Sequence, residues 1–432
     1  MFSRCLVLLL AAVSWAAAQE LIPAGASGWK PFAPRTQTAP RTEAVPSPAP
    51  NGYQLKLASG GKRYVYGGWT CHLEGIEAGA WYRFRARALP RDIAALRESV
   101  TVMLRWRGDY GNGVAPTYVW DYRRAAQPAG AIEFDRVAQA PPKTNAVDVE
   151  LVLQWTASGS VTFDKLSLTR AEPPAPRKVR VAALWLRPRN SKTPADSVEQ
   201  FAQLAEKAAS EHHPDILVLG ETINHVGAKQ TLDEKAESIP GPATERLGRV
   251  ARQHHAYIVL GIVERDGIDV FNSGVLLDRE GRVAGKYRKV QLPREEVAGG
   301  IAPGDSFPVF TADFGKVGIM ICHDASFVEP ARELALNGAD LILVPIWGGR
   351  QPLVRARAIE NGIWLATSGY DYDSEIIDPL GHVLASVPHD KGPGVAVADI
   401  DLSERFREDW IGDWRDTVNK QRRSTPYRFR IP

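Results

Sequence analysis

Val317-Gly318-Ile319-Met320-Ile321-Cys322-His323-Asp324 is an apolar, β-branched run that stops abruptly at a cysteine followed by polar residues. Its apolar residues do not alternate with polar ones, so the strand they predict is buried on both faces. The thiol then sits at the strand tip, facing a cleft. Runs elsewhere in the second half read the same way: Val179 to Leu186, Ile216-Leu217-Val218-Leu219, Ile258 to Val263, Gly274 to Leu277 and Leu341 to Val344. Helical text separates them. One helix is predicted to start at Thr193 and Pro194, with Val198, Phe201, Leu204, Ala205 and Ala208 on one face, and another lies around Glu245 to His254. Doubly buried strands separated by helices predict an α/β sheet covered on both sides.

Toward the N-terminus the period changes at Glu172-Pro173-Pro174-Ala175-Pro176, a stiff segment that predicts a domain boundary. A chain of 432 residues is too long for one ordinary core, and two domains fit it. Residues 51–171 read as short strands: Trp81 to Ala86, Val100 to Trp106 and Val147 to Leu153 alternate, with no long helical period. They predict an all-β sandwich, followed by a linker at 172–177 and the α/β domain at 178–432. The phrase from Gly159 to Leu168 resembles the last strands of jelly-roll carbohydrate-binding modules, so a glycan is a candidate partner. Trp69, Trp81, Trp106, Trp120 and Trp155 could stack on sugar rings, although tryptophans on alternating strands usually pack in a core. Residues 19–50 are rich in Pro and Ala and read as a loosely held arm.

Residues 1–18 read as a signal peptide, with Arg4, an apolar run from Cys5 to Val13 and Ala16-Ala17-Ala18 as a cleavage site. An exported protein, periplasmic or extracellular, is the expectation. That run is far below the ~20 residues of a membrane span. A net charge of +3 makes no case for nucleic acid or an anionic membrane as partner, and the basic tail from Arg415 to Arg430 is interleaved with aromatic residues. Removal of the leader leaves Cys71 and Cys322 in different predicted domains, which favours free thiols over a disulfide.

A thiol becomes nucleophilic as the thiolate and needs a base or a positive neighbourhood. Cys322 lies at a strand-to-helix junction, since Glu329 to Leu334 opens a helix soon after it. Backbone amides at such a junction can hold an oxyanion. Glu221 ends the run Ile216 to Leu219, so a carboxylate also stands at a strand tip, where partial burial suits it to proton transfer. Lys289 lies in Gly285 to Pro293, where Tyr287, Lys289 and Gln291 share one face of an extended chain. Lys286 and Arg288, on the other face, read as a solvated edge. Taken singly, each of the three has an ordinary structural explanation; together they make the thiol a candidate nucleophile.

These residues carry a resemblance. Gly220-Glu221, Tyr287 to Leu292 and Gly318 to Asp324 resemble, in order and spacing, the three blocks of the carbon–nitrogen hydrolase (nitrilase) superfamily. Asn272-Ser273, Pro303-Gly304-Asp305, Gly338 to Pro345 and Arg357 to Asn361 add supporting phrases. The resemblance implies an α-β-β-α sandwich, usually assembled as a homo-oligomer. It implies that Glu221 is general base and then acid, that Cys322 is the nucleophile, and that Lys289 and the backbone N–H of His323 hold the developing negative charge. Glu296, with Glu295 as the alternative, would be an accessory glutamate positioning substrate and lysine. His323, Asp324 and Trp347 would complete the surroundings of the substrate, with Trp347 lining the pocket. No metal or organic cofactor is implied. The pairs His212-His213 and His254-His255 fall at predicted helix ends, where positive charge is favourable.

The function that follows is hydrolysis of a non-peptide carbon–nitrogen bond in a small amide-type substrate through a thioester. Nitrile hydrolysis or acyl transfer at the same residues are the alternative chemistries. A catalytically dead binding protein that uses the sandwich for glycans is the alternative of another kind, and retention of Glu221, Lys289 and Cys322 argues against it.

Overall fold

The alternating strands of the N-terminal part pair into two antiparallel sheets in a computed structural model of the chain, which describes residues 19–47, 52–109, 114–120, 122–124, 130–408 and 410–423. The expected signal peptide, residues 48–51 and the end of the basic tail lie outside the described residues. The described chain forms two compact units, the first comprising residues up to Pro174 with Glu408–Gly412 and the residues from Lys420, the second Ala175–Arg407 with Asp413–Asn419.

In the first unit, one sheet runs in the order Trp29–Phe32, Tyr66–Glu74, Thr144–Gln154, Val100–Gly108, Thr117–Val119. The other runs Arg41–Pro46, Tyr53–Ala58, Ser160–Ala171, Trp81–Arg91, Ile132–Gln139, Tyr122–Arg124. Period-2 burial follows from the alternation: Tyr53, Leu55 and Leu57 are buried while the residues between them are half-buried. Leu55, Phe84 and Phe163 of one sheet share a core with Trp106, Leu104 and Leu151 of the other. Trp69, Trp106 and Trp120, three of the five tryptophans considered for sugar stacking, are buried in the core; Trp81 is half-buried, and the Arg423 guanidinium covers the exposed Trp155 ring at 5.1 Å.

The Pro-rich stretch expected to be a loose arm instead supplies an edge strand to each sheet. Trp29–Phe32 pairs with Gly68–Cys71, and Arg41–Pro46 pairs with Tyr53–Ala58. Proline lacks a donor but is tolerated at a sheet edge, which is where Pro31 and Pro46 sit. At the other end, residues from Lys420 on group with the first unit rather than with the α/β part. The Lys420 ammonium donates to the carbonyls of Arg97 and Val100, and Gln421 Nε2 donates to the Tyr118 hydroxyl at 3.1 Å.

The second unit contains two six-stranded mixed sheets. The first runs Val283–Arg288, Asp269–Leu277, Tyr257–Asp266, Ile216–Val218, Lys178–Trp185, Gly394–Asp401; its middle strands Tyr257–Asp266, Ile216–Val218 and Lys178–Trp185 are parallel. The second runs Val309–Ala312, Gly315–Ile319, Leu341–Pro345, Trp364–Ser368, Ser374–Ile377, Val383–Val387, with Gly315–Ile319, Leu341–Pro345 and Trp364–Ser368 parallel. Each strand feeds two cores. Val181, Ala183, Val218 and Val259 meet Val317, Ile319, Leu341 and Leu343 between the sheets. Ala182, Leu184, Leu217 and Leu219 pack outward on Phe201, Ala205, Leu247 and Ala251 of the helices Pro194–His212 and Pro242–His254. On the far side Met320, Ile342 and Val344 pack on Leu334, Val354 and Ala358 of the helices Glu329–Leu336 and Gln351–Asn361. This α-β-β-α layering is why the strands read as continuous apolar runs.

The helix start expected at Thr193 is a capping box: Thr193 Oγ1 accepts from the Asp196 N–H at 3.2 Å, and Asp196 Oδ2 accepts from the Thr193 N–H at 2.9 Å. The two histidine pairs close helices, with His213 and His255 left-handed at φ 48° and 52°. No cluster of metal-binding side chains occurs among the described residues, and no described helix is long and apolar enough to cross a membrane.

Candidate active site

Three strand ends bring the candidate groups together. Glu221 follows Ile216–Val218 by three residues, Lys289 directly follows Val283–Arg288, and Cys322 follows Gly315–Ile319 by three. The first two leave one sheet and the third leaves the other. All three line one cavity of about 640 Å³, together with Thr222, His225, Leu232, Val263, Asn272, Glu296 and Trp347 among others. The backbone turns sharply here: Cys322 and Thr222 both have φ of +44°, a left-handed conformation that costs energy for side chains other than glycine. Gly220 lets the Glu221 turn lie against Tyr370, whose hydroxyl would be 2.5 Å from an added Cβ. That hydroxyl donates to the Glu221 carbonyl at 2.6 Å and fixes the turn.

Glu221 and Lys289 are almost fully buried, and their polar atoms form a closed set with Asn272 and Glu296. Lys289 Nζ donates to Glu221 Oε1 and to Glu296 Oε1, each at 2.9 Å. Asn272 Nδ2 donates to the same two oxygens, at 2.7 and 2.8 Å. One oxygen of each carboxylate is therefore held from two sides. The second oxygens, Glu221 Oε2 and Glu296 Oε2, are buried without a protein partner. A buried carboxylate with one anchored and one unengaged oxygen is suited to taking and returning a proton.

Burial works against the Lys289 ammonium, but the negative charges around it, Glu221 foremost, more than reverse this and hold its pKa above the ordinary lysine value. Lys289 is thus a fixed positive charge and no base. Burial, and then the charge of Glu221, push the Cys322 thiol up to about 12, against the opposing pull of Lys289 and the backbone N–H groups of Trp347 and Gly348. A thiol held that high stays protonated at neutral pH, and Sγ donates to the Gly348 carbonyl at 3.6 Å.

Of the expected surroundings, Trp347 lines the cavity, its ring edge-on to Tyr370 at 5.0 Å. Glu296 and not Glu295 contacts Lys289; Glu295 lies on the exposed part of the wall. Asp324, expected beside the substrate, does not line the cavity. It is a buried brace: Oδ2 accepts from the Tyr287 hydroxyl at 2.7 Å and the Ile321 N–H at 2.8 Å, and Oδ1 from the Gln291 N–H at 2.9 Å. It ties the segment after Lys289 to the Cys322 turn. Burial pushes its carboxyl up to about 6, while these three donors favour the ionised form. The His323 ring also stays out of the cavity wall and stacks edge-on against Phe327 at 5.2 Å.

Lys286 and Arg288, expected on a solvated edge, do lie on an edge strand, Lys286 exposed and Arg288 half-buried; both also pair with the buried Glu264, at 2.5 and 2.7 Å, and hold its carboxyl near 2 against the cost of burial. Among the cavity residues that the sequence does not single out are Asn272 and His225. Asn272 was readable as a polar interruption of the apolar run Val270 to Leu277, since a buried amide needs partners. His225 lay in a segment with no periodicity to place it.

Residues 180–406 match the family model described as carbon-nitrogen hydrolase. The omega-amidase NIT2 of Xenopus tropicalis is 31% identical over 252 residues, covering 51% of this chain and 87% of that protein. A nitrilase of Pyrococcus abyssi is 36% identical over 239 residues, covering 51% of this chain and 89% of its own. Among solved structures, an amidase of Nesterenkonia sp. AN1 with acrylamide added to its active-site cysteine matches at 25% identity and a TM-score of 0.46, covering 51% of this chain and 93% of that one. The chain belongs to the carbon–nitrogen hydrolase family and is an enzyme of that class.

Proposed function

We propose that the protein hydrolyses the carbon–nitrogen bond of a small amide, with Cys322 as nucleophile, Glu221 as general base and acid, and Lys289 as electrostatic stabiliser. The observation that carries this reading is the Glu221–Lys289–Glu296–Asn272 cluster lining the same cavity as the Cys322 thiol. Glu221 takes the thiol proton as sulfur attacks the carbonyl carbon, and the C=O π pair moves onto oxygen. Lys289 and the His323 N–H meet that oxyanion. Its collapse breaks the C–N bond, Glu221 passes its proton to the departing nitrogen, and a thioester remains. A water then gives a proton to Glu221 and attacks the thioester. The C–S bond breaks, the acid leaves, and the thiolate recovers its proton. Glu296 and Asn272 hold Lys289 and Glu221 in register throughout. The name of the relatives, omega-amidase, supports an amide as the substrate, and the paired antiparallel sheets of the first unit support a jelly-roll-type sandwich there.

The test is ammonia release from short primary amides, with the matching nitriles as a second arm. Wild-type protein is expected to release ammonia from amides, and Cys322→Ala to release none. Intact-mass analysis under turnover is expected to show an acyl adduct on Cys322. Release from nitriles but not amides, or undiminished release by the alanine variant, would contradict the proposal.

A further inference from the structure

Beyond the reacting groups, the cavity wall carries a basic pair that hydrolysis itself does not use. His225 lines the cavity, with its ring edge-on to Trp347 at 6.5 Å. Behind it, Lys235 Nζ lies 3.3 Å from His225 Nδ1. Lys235 is buried, yet among the described residues no carboxylate pairs with it and the imidazole is the one side chain to which it is bonded. A buried ammonium is ordinarily matched by an anion, so this arrangement leaves a charge to be answered.

The pair is built rather than incidental. Asn224, next to His225, is fully buried and donates through Nδ2 to the carbonyls of Lys235 at 3.0 Å and Val263 at 3.1 Å, while its Oδ1 accepts from the Val263 N–H at 2.9 Å. The His225 N–H donates to the Thr222 carbonyl at 2.7 Å, which ties the imidazole segment to the turn after Glu221. The short helix carrying Lys235 starts in a capping box of Thr231 and Glu234. Lys235 and His225 are thus held against each other from both sides.

An ammonium has donors and no acceptor, so Nδ1 facing it must be the unprotonated nitrogen. That places the ring proton on Nε2 and makes the imidazole a neutral donor. Burial and the Lys235 charge disfavour a second proton on the ring and outweigh the opposing charge of Glu221. No described residue bonds to Nε2, and the ring borders the cavity.

We propose that His225 is a specificity-determining residue that recognises a hydrogen-bond-accepting oxygen on the acyl arm of the substrate, with Lys235 as the positioning residue that fixes its tautomer and favours an anionic oxygen. This rests on the amide-hydrolase reading above and names its substrate class: amides whose acyl group ends in a carbonyl or carboxylate, in preference to a hydrocarbon or an ammonium group.

The experiment compares kcat/KM for four primary amides with acyl arms of matched length ending in methyl, methyl ketone, carboxylate or ammonium. One well-made hydrogen bond is worth about tenfold, so wild-type protein is expected to prefer the ketone or carboxylate over methyl by roughly that factor. His225→Phe keeps a ring against Trp347 and loses the donor; the acceptor-to-methyl ratio should fall to near one. His225→Gln restores an N–H donor and should recover part of the ratio, which a merely structural role would not do. Lys235→Met should lower the carboxylate-to-ketone ratio, separating charge from hydrogen bonding. Circular dichroism melts of each variant confirm folding. An unchanged ratio in His225→Phe, or a wild-type preference for methyl or ammonium, overturns the inference while leaving the hydrolase reading intact. Absence of ammonia release from all four amides overturns both.

Discussion

The two sheets of the α/β unit make unequal contributions to one cavity. The sheet built around Ile216–Val218 delivers the groups that hold charge and protons, Glu221, Lys289 and Asn272, all buried and mutually bonded. The sheet built around Gly315–Ile319 delivers the thiol and an aromatic wall, Cys322 and Trp347, with few bonds of their own. The proposed proton-handling groups are thus held by one another, while the proposed nucleophile, on a left-handed turn like that of Thr222 beside Glu221, depends on a brace, Asp324, reaching back to the first side. The difference teaches that variants on one side should change the chemistry of the proton and those on the other should change the bond-forming atom.

The largest expected effect is on the nucleophile side. Cys322→Ala should lower kcat by roughly 10⁴-fold or more in an ammonia-release assay while leaving the melting temperature close to wild type. Substantial residual turnover would break the comparison outright. Next comes the proton-handling side. Glu296→Gln removes one of the two charges on Lys289, and misplacement of the ammonium should cost about 10²-fold in kcat, read by steady-state kinetics. The smallest effect belongs to the brace. Asp324→Asn keeps one acceptor for three donors, so a loss of about 1–3 kcal/mol in denaturant unfolding is expected, with a weaker effect on turnover than Glu296→Gln. A larger loss of activity than of stability would mean that Asp324 acts on the substrate after all.

What could be read in the sequence was what periodicity and abrupt endings encode. Doubly buried strands gave themselves away by lacking alternation, and Glu221 and Cys322 by ending such runs. The arm strands were hidden because proline-rich text looks like a linker, and nothing local says that Trp29 to Phe32 finds an edge at Gly68 to Cys71. Asp324 was misjudged because its partners, Tyr287 and the Gln291 amide, lie more than thirty residues away. The pairing of Lys286 and Arg288 with Glu264 was hidden because that acid belongs to a strand two places across the sheet. Asn272 was legible as a polar break, but its role needed the two carboxylates that only the fold brings to it.

Glu221 is proposed both to raise the thiol pKa by its charge and to remove the thiol proton during attack. The direct measurement is the rate of Cys322 alkylation by iodoacetamide against pH, in wild type and in Glu221→Gln, beside turnover at each pH. A thiol pushed up to about 12 has no titration step near the ordinary cysteine value, so wild-type alkylation should keep rising above pH 9. In Glu221→Gln the charge that raises the thiol is gone and Lys289 remains. The alkylation profile should therefore shift to lower pH even as turnover falls by roughly 10³-fold. Cys71 is buried, with a thiol pushed up to about 11, and Cys322→Ala provides its background. A profile unchanged by the substitution, or turnover that survives it, would contradict the account.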